Sequence, residues 1–183
     1  MNGIIFTDHS IQQILRGLKT QTRRVKEGPR CFYGPRGIRF YALEAWRQAY
    51  KPTPEHNGVV YRADYGFDPS LDASIAREQG YWKAPLLLKE HQARLVIEVT
   101  RTPYEEPIQS ISDKDIEAEG VVAETPALAR SMFNAGWNSI NAHRGYPIEK
   151  NPVVYVVHFK VVIVKTRLHP SIKKQTSLLN AQA

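Results

Sequence analysis

Cysteine is nearly absent from this chain, with Cys31 alone among 183 residues. A lone thiol excludes an internal disulfide framework and a cysteine-rich zinc site, and it fits a reducing compartment. No stretch approaches the ~18 consecutive apolar residues of a membrane span. The start, Met1-Asn2-Gly3-Ile4-Ile5-Phe6-Thr7-Asp8, lacks the basic end and long apolar run of a signal peptide. The expectation is a soluble, cytoplasmic protein with no membrane partner. Glycine-rich phosphate loops, a His-Glu-x-x-His helix and a Gly-x-Ser-x-Gly elbow are also missing. His9, His56, His91, His143, His158 and His169 are dispersed, with no i, i+4 pair, so no metal site and no cofactor are expected.

Acidic residues are scarce at both ends. Residues 1–50 carry nine Lys/Arg against three acids, residues 51–159 eleven against fifteen, and residues 160–183 five against none. Basic ends around an acidic middle, within a net charge of +7, give a positive face for phosphates if the ends meet, or else ordinary solvated charge.

What is present suits one α+β domain over residues 1–168, long enough to bury a core without staples. Ser10 is placed to cap a short helix with Ile11, Ile14, Leu15 and Leu18 at helical spacing, fraying near Gly17. Residues 19–25 read as extended, and Gly28, Pro29, Gly34, Pro35 and Gly37 punctuate a loop before a strand at 38–46. Residues 47–90 hold no sustained period and read as a long irregular insertion. Leu95, Ile97 and Val99 alternate as in a half-buried strand. Ser112 with Asp115 opens a short helix that carries Glu117 and Glu119 and stops at Gly120. Thr125-Pro126 opens another, with Leu128, Met132, Phe133, Trp137 and Ile140 as its apolar side. The β-branched density of residues 153–164 predicts a central strand with a bend past Lys160. The composition of 169–183 predicts a frayed or disordered tail.

Between the first helix and the loop lies Gly17-Leu18-Lys19-Thr20-Gln21-Thr22-Arg23-Arg24, hydroxyls and cations without a carboxylate. Amide hydrolysis needs an activated nucleophile, a donor for the oxyanion and a proton for the leaving amine. Thr22 can attack, and Lys19 can take its proton once neutral, which asks its pKa to fall from about 10.4 toward about 7 to 8. A basic surface strand is the other reading of these eight residues. Residues three apart on a regular strand face opposite ways, so Lys19 and Thr22 converge only if Lys19 sits on the bend before the strand.

The order of an apolar helix, Gly17-x-Lys19-Thr20-x-Thr22-Arg23-Arg24, then Gly37-Ile38-Arg39-Phe40-Tyr41, Glu44-Ala45-Trp46, Arg94 to Val99, and Ile111-Ser112-x-x-Asp115-x-x-Ala118-Glu119-Gly120 resembles the ASCH domain. Trp137-x-x-Ile140-Asn141, Arg144-Gly145, Asn151-Pro152 and Val156-x-His158-Phe159 are similar to its phage and prophage branch, although Leu43 stands where that branch usually has arginine. The resemblance implies a PUA-like mixed β-barrel with flanking helices, often associated with RNA. One bacterial branch similar in its Lys-Thr-x-Thr segment hydrolyses N4-acetylcytidine to cytidine and acetate without a metal. Carried over by motif, the catalytic lysine falls on Lys19, the threonine nucleophile on Thr22 and the glutamate on Glu119.

On that basis Glu119 is expected to accept from the exocyclic nitrogen of an acylated cytosine or to carry protons there, with contact to Lys19 secondary. Arg24 is expected to hold the oxyanion, and Tyr41, Glu44 and Trp46 to line the substrate pocket. The expected partner is a small N4-acylated cytosine nucleoside. The alternatives are a non-catalytic RNA-binding module, with salt-sensitive binding, and a ribonuclease on the same fold.

Overall fold

The computed structural model of the chain describes residues 1–48, 58–65 and 81–165. The expected tail at 169–183 and the stretches 49–57 and 66–80 of the expected insertion lie outside the described residues. In chain order the elements are β1 (Asn2–Ile5), α1 (Asp8–Leu15), β2 (Gln21–Val25), β3 (Arg39–Leu43), β4 (Trp46–Gln48), β5 (Val59–Tyr61), β6 (Leu95–Val99), β7 (Tyr104–Pro107), α2 (Asp113–Ala118), α3 (Pro126–Asn141) and β8 (Val153–Val164). Helix and strand are mixed as the α+β expectation has it. The chain groups into two units, one of residues 1–16, 39–97 and 161–183, the other of residues 17–38 and 98–160.

In the first unit, β1 pairs in parallel with β3, Asn2 opposite Phe40 through Ile5 opposite Leu43, and β3 neighbours β6. The predicted strand at 38–46 is broken in two. Glu44 and Ala45 interrupt it, and Trp46–Gln48 continue as β4 in an antiparallel pair with β5. Helix α1 starts earlier than the Ser10 cap predicts. Thr7, with extended backbone, accepts the Ser10 amide on its hydroxyl at 3.2 Å, so Ser10 lies within the first turn. Ile11 and Ile14 are the apolar residues that α1 buries.

In the second unit, β8 is central. Arg23 of β2 and Tyr104 of β7 both face Val156, from opposite edges, in antiparallel pairs. Val154 to Val157 are buried accordingly, and the strand runs unbroken past Lys160 to Val164. Ser112 and Thr125 cap α2 and α3 as the sequence predicts, each accepting the amide three residues on. Ala129, Phe133 and Trp137 of α3 pack with Ile108, Ile111, Ile116, Ile148, Val154 and Val156. Leu128, Met132 and Ile140, expected on that apolar side, are 47, 45 and 45% exposed. The buried stripe advances by four residues a step, from Ala129 to Asn141, so Ala129 and Asn141 take the places expected of Leu128 and Ile140. Among the described residues no helix is long and apolar enough to cross a membrane.

Candidate active site

Gly17, at φ +76°, lets the chain leave α1, and the next residues meet the end of α2. Lys19 and Glu119 form an isolated antiparallel bridge, and the Thr20 amide donates to the Ala118 carbonyl at 2.9 Å. Glu119 is the last residue before Gly120, whose φ of +86° turns the chain out of the helix. A lysine reaching toward a helix C-terminus finds carbonyls that lack intrahelical partners. Lys19 does so, donating from Nζ to the Glu119 carbonyl at 2.9 Å and to its carboxylate Oε2 at 2.5 Å.

Arg23, two residues into β2 beyond Gln21, completes the cluster. Its Nη1 donates to Glu119 Oε1 at 3.2 Å, its Nε and Nη2 to Glu106 Oε1 at 2.9 and 2.7 Å, and its Nη2 lies 3.5 Å from Asp115 Oδ2. Gln21, on the same face of β2, accepts from Arg23 and donates to Asp115 and His158 once its amide is oriented to satisfy them. The side chains of Lys19, Arg23 and Glu119 are 6, 1 and 8% exposed, so these charges neutralise one another away from water.

Burial drives Lys19 below the ordinary lysine value. Glu119 opposes that effect without cancelling it, and Arg24 and Arg23 add to it. Burial likewise lowers Arg24, against the influence of Tyr33 and Glu119. For Asp115, burial raises the pKa, but the Ser112 hydrogen bond and Arg23 more than offset it and hold the carboxyl below its usual range. His158 is depressed by burial and by Arg101.

Of the expected catalytic residues, Lys19 and Glu119 are in direct contact. Both carboxylate oxygens of Glu119 are engaged, one by Lys19 and one by Arg23. Thr22 is buried on β2 opposite Val157. Alternation sends Gln21 and Arg23 to the face of Asp115 and Glu119, and Thr22 and Arg24 to the other. Among the described residues the Thr22 hydroxyl makes no hydrogen bond to Lys19.

Tyr41, Glu44 and Trp46 belong to the first unit. Tyr41 is half-buried, while Trp46 packs with Leu43, Val59, Tyr61, Leu88 and Ala93. Both oxygens of Glu44 accept from Arg94, at 2.9 and 2.7 Å, and the residue is fully buried.

Arg23, Glu106, Asp115 and Gln21 escaped the sequence reading. The signals were there: Lys19, Gln21 and Arg23 share the odd positions of an extended segment, and Asp115 and Glu119 are four apart, on one face of a helix. Glu106 carried no local signal, because only the pairing of β7 with β8 brings it near. The second unit also has a concavity of about 390 Å³ whose lining includes Val121, Ala123, Pro126, Asp113, Glu117 and Glu124. Lys19, Thr22 and Glu119 do not line it. Among the described residues no group of three or more His, Cys, Asp or Glu is arranged to hold a metal ion.

No protein-family model matches the chain, and no curated protein sequence matches it. Among solved structures it is similar to protein EF3133 from Enterococcus faecalis V583, described with the family model DUF984. The two are 15% identical over 92% of this chain and 86% of the other, with a TM-score of 0.48. No residue role is transferred from that protein.

Proposed function

We propose that the second unit carries an amidohydrolase site, needing no metal, for the N4-acyl amide of N4-acetylcytidine or a related N4-acylated cytosine nucleoside, on an ASCH-type, PUA-like fold. The observation that carries this reading is the buried contact of Lys19 Nζ with Glu119 Oε2 at 2.5 Å, three residues before Thr22. A lysine whose proton affinity is lowered by burial, and whose amine is fixed by a carboxylate, has the properties of a general base. Lys19 stands before β2, and for this reading its amine has to come within reach of the Thr22 hydroxyl when substrate binds.

In the proposed cycle the Thr22 hydroxyl attacks the acyl carbonyl carbon and gives its proton to neutral Lys19. The C–N4 bond then breaks, the proton passes from Lys19 to the departing cytosine nitrogen, and the acyl group is left as an ester on Thr22. Water attacks that ester, Lys19 takes a proton from it, and the carboxylic acid leaves as the Thr22 hydroxyl is re-formed. Glu119 orients the amine, and Arg24 is the proposed donor to the oxyanion.

An ultraviolet time course with N4-acetylcytidine tests the proposal, with products identified by mass. The parent is expected to yield cytidine and acetate, undiminished by EDTA. Lys19→Ala is expected to lose about 10²- to 10⁴-fold in kcat/KM, the usual share of a general base, while keeping its circular dichroism spectrum. Thr22→Ser should retain turnover and Thr22→Ala lose it. If the parent converts neither this substrate nor longer N4-acyl nucleosides, and holds RNA in a salt-sensitive manner, the site is a binding module and the proposal fails.

A further inference from the structure

The first unit contains two arginines that are almost wholly buried, Arg94 at 1% and Arg47 at 2% exposure. Their surroundings differ in one respect. Arg94 lies with its guanidinium carbon 4.2 Å from the centre of the Tyr61 ring. It donates through Nε and Nη2 to Glu44 and through Nη1 to Asp64. Burial alone would lower its proton affinity, and the two carboxylates reverse that.

Arg47, on β4, has the stacking without the carboxylates. Its guanidinium carbon is 4.4 Å from the centre of the Trp82 ring and 5.6 Å from that of Tyr65, two rings 5.9 Å apart. Its Nε and Nη1 are buried with no hydrogen-bond partner among the described residues. No ion pair joins it to a carboxylate among the described residues.

Stacking satisfies the face of a guanidinium and leaves its N–H edge unmet. A buried charged donor with no acceptor is strongly destabilising, and such groups are few in native folds. Arg94 shows how this unit neutralises a buried arginine with carboxylates. At Arg47 the rings that fix the plane of the guanidinium are in place, and among the described residues Nε and Nη1 meet no acceptor. Trp82 and Tyr65 are both half-buried.

We propose that Arg47 is the anchor of a second ligand site, one that takes a small molecule through an oxyanion, carboxylate or phosphate. The oxyanion lies in the plane of the guanidinium against the Nε–H edge, and the Trp82 and Tyr65 rings hold that plane. This site is independent of amide hydrolysis.

Arginine Nε–Hε resonances of the ¹⁵N-labelled protein, assigned through bonds in the parent, report on it directly. The probes are sodium acetate and sodium phosphate, each against sodium chloride at equal ionic strength. The Arg47 resonance is expected to shift saturably with one of them, acetate assigning a carboxylate ligand and phosphate a phosphate. The Arg94 resonance should stay in place. The same anion should raise the Tm of the parent, and Arg47→Met should weaken that response about tenfold or more, as loss of a charge-assisted hydrogen bond implies. The proposal is overturned if the Arg47 resonance moves with neither anion, or moves equally with chloride. It is also overturned if folded Arg47→Met keeps the stabilisation. The resonance measurement stands without any variant, so a failure of Arg47→Met to fold leaves the test intact.

Discussion

Lys19 has to give up its proton before it can take another, and its burial works toward that while Glu119 works against it. The proposed activity should therefore rise with pH through a lysine value below the ordinary 10.5 and then level off. Removing a neighbouring cation relieves part of the depression. Arg23→Gln also leaves Glu119 to Lys19 alone, so both changes favour the charged lysine. The rising limb of kcat/KM against pH should move to higher pH in Arg23→Gln, and a limb unmoved or shifted to lower pH contradicts the assignment. Asp115 provides a stability counterpart. Its carboxyl is held below the usual range, so the unfolded chain binds its proton first on acidification. That stability is complete above about pH 4, the unfolded value, and drains away as pH falls through the lowered native value. Urea midpoints between pH 6 and 2 should fall less steeply in Asp115→Asn than in the parent.

At the scale of elements, the position of Glu119 depends on where α2 ends. Gly120 holds a left-handed φ of +86°, which costs a residue with a Cβ roughly 1 to 2 kcal/mol. Gly120→Ala should lower stability by about that much and, by moving the end of the helix, reduce turnover more than Ser112→Ala, whose cost of about 1 kcal/mol falls at the far end. Chemical denaturation and the nucleoside assay separate the two effects. On α3, Phe133→Ala should cost about 3 to 5 kcal/mol, whereas Met132→Ser, nearly half exposed, should change stability by about 0.5 kcal/mol or less. Elements with strong local signals were legible in the sequence. The caps at Ser112 and Thr125 and the β-branched run of β8 are encoded by residues adjacent in the chain. The cap of α1 was misplaced by three residues because Thr7 and Ser10 have the same capping chemistry, and only the backbone conformation chooses between them.

At the scale of the whole molecule, each unit holds at least one arginine neutralised by carboxylates that are distant in sequence, Arg23 by Glu106, Asp115 and Glu119, and Arg94 by Glu44 and Asp64. Breaking a buried pair of this kind leaves an uncompensated charge. Glu44→Ala should destabilise the protein by about 3 to 5 kcal/mol, measured by urea denaturation. Such pairings explain why the site was only half legible. Lys19 and Glu119 stood out by residue type within short motifs, whereas the partners that orient them come from strand pairing, which no local pattern announces. Glu44 likewise meets its partner, Arg94, fifty residues along the chain.

Lys19 is tethered to residue 119 twice, once through the carboxylate and once through the peptide carbonyl. The second tether belongs to the main chain and is indifferent to the side chain. A library randomised at position 119 keeps that tether but loses the carboxylate that neutralises Lys19 and Arg23, so its members should lose stability and activity together. Position 19 has no such backup, since without its amine both acceptors at the helix end lose the same donor at once.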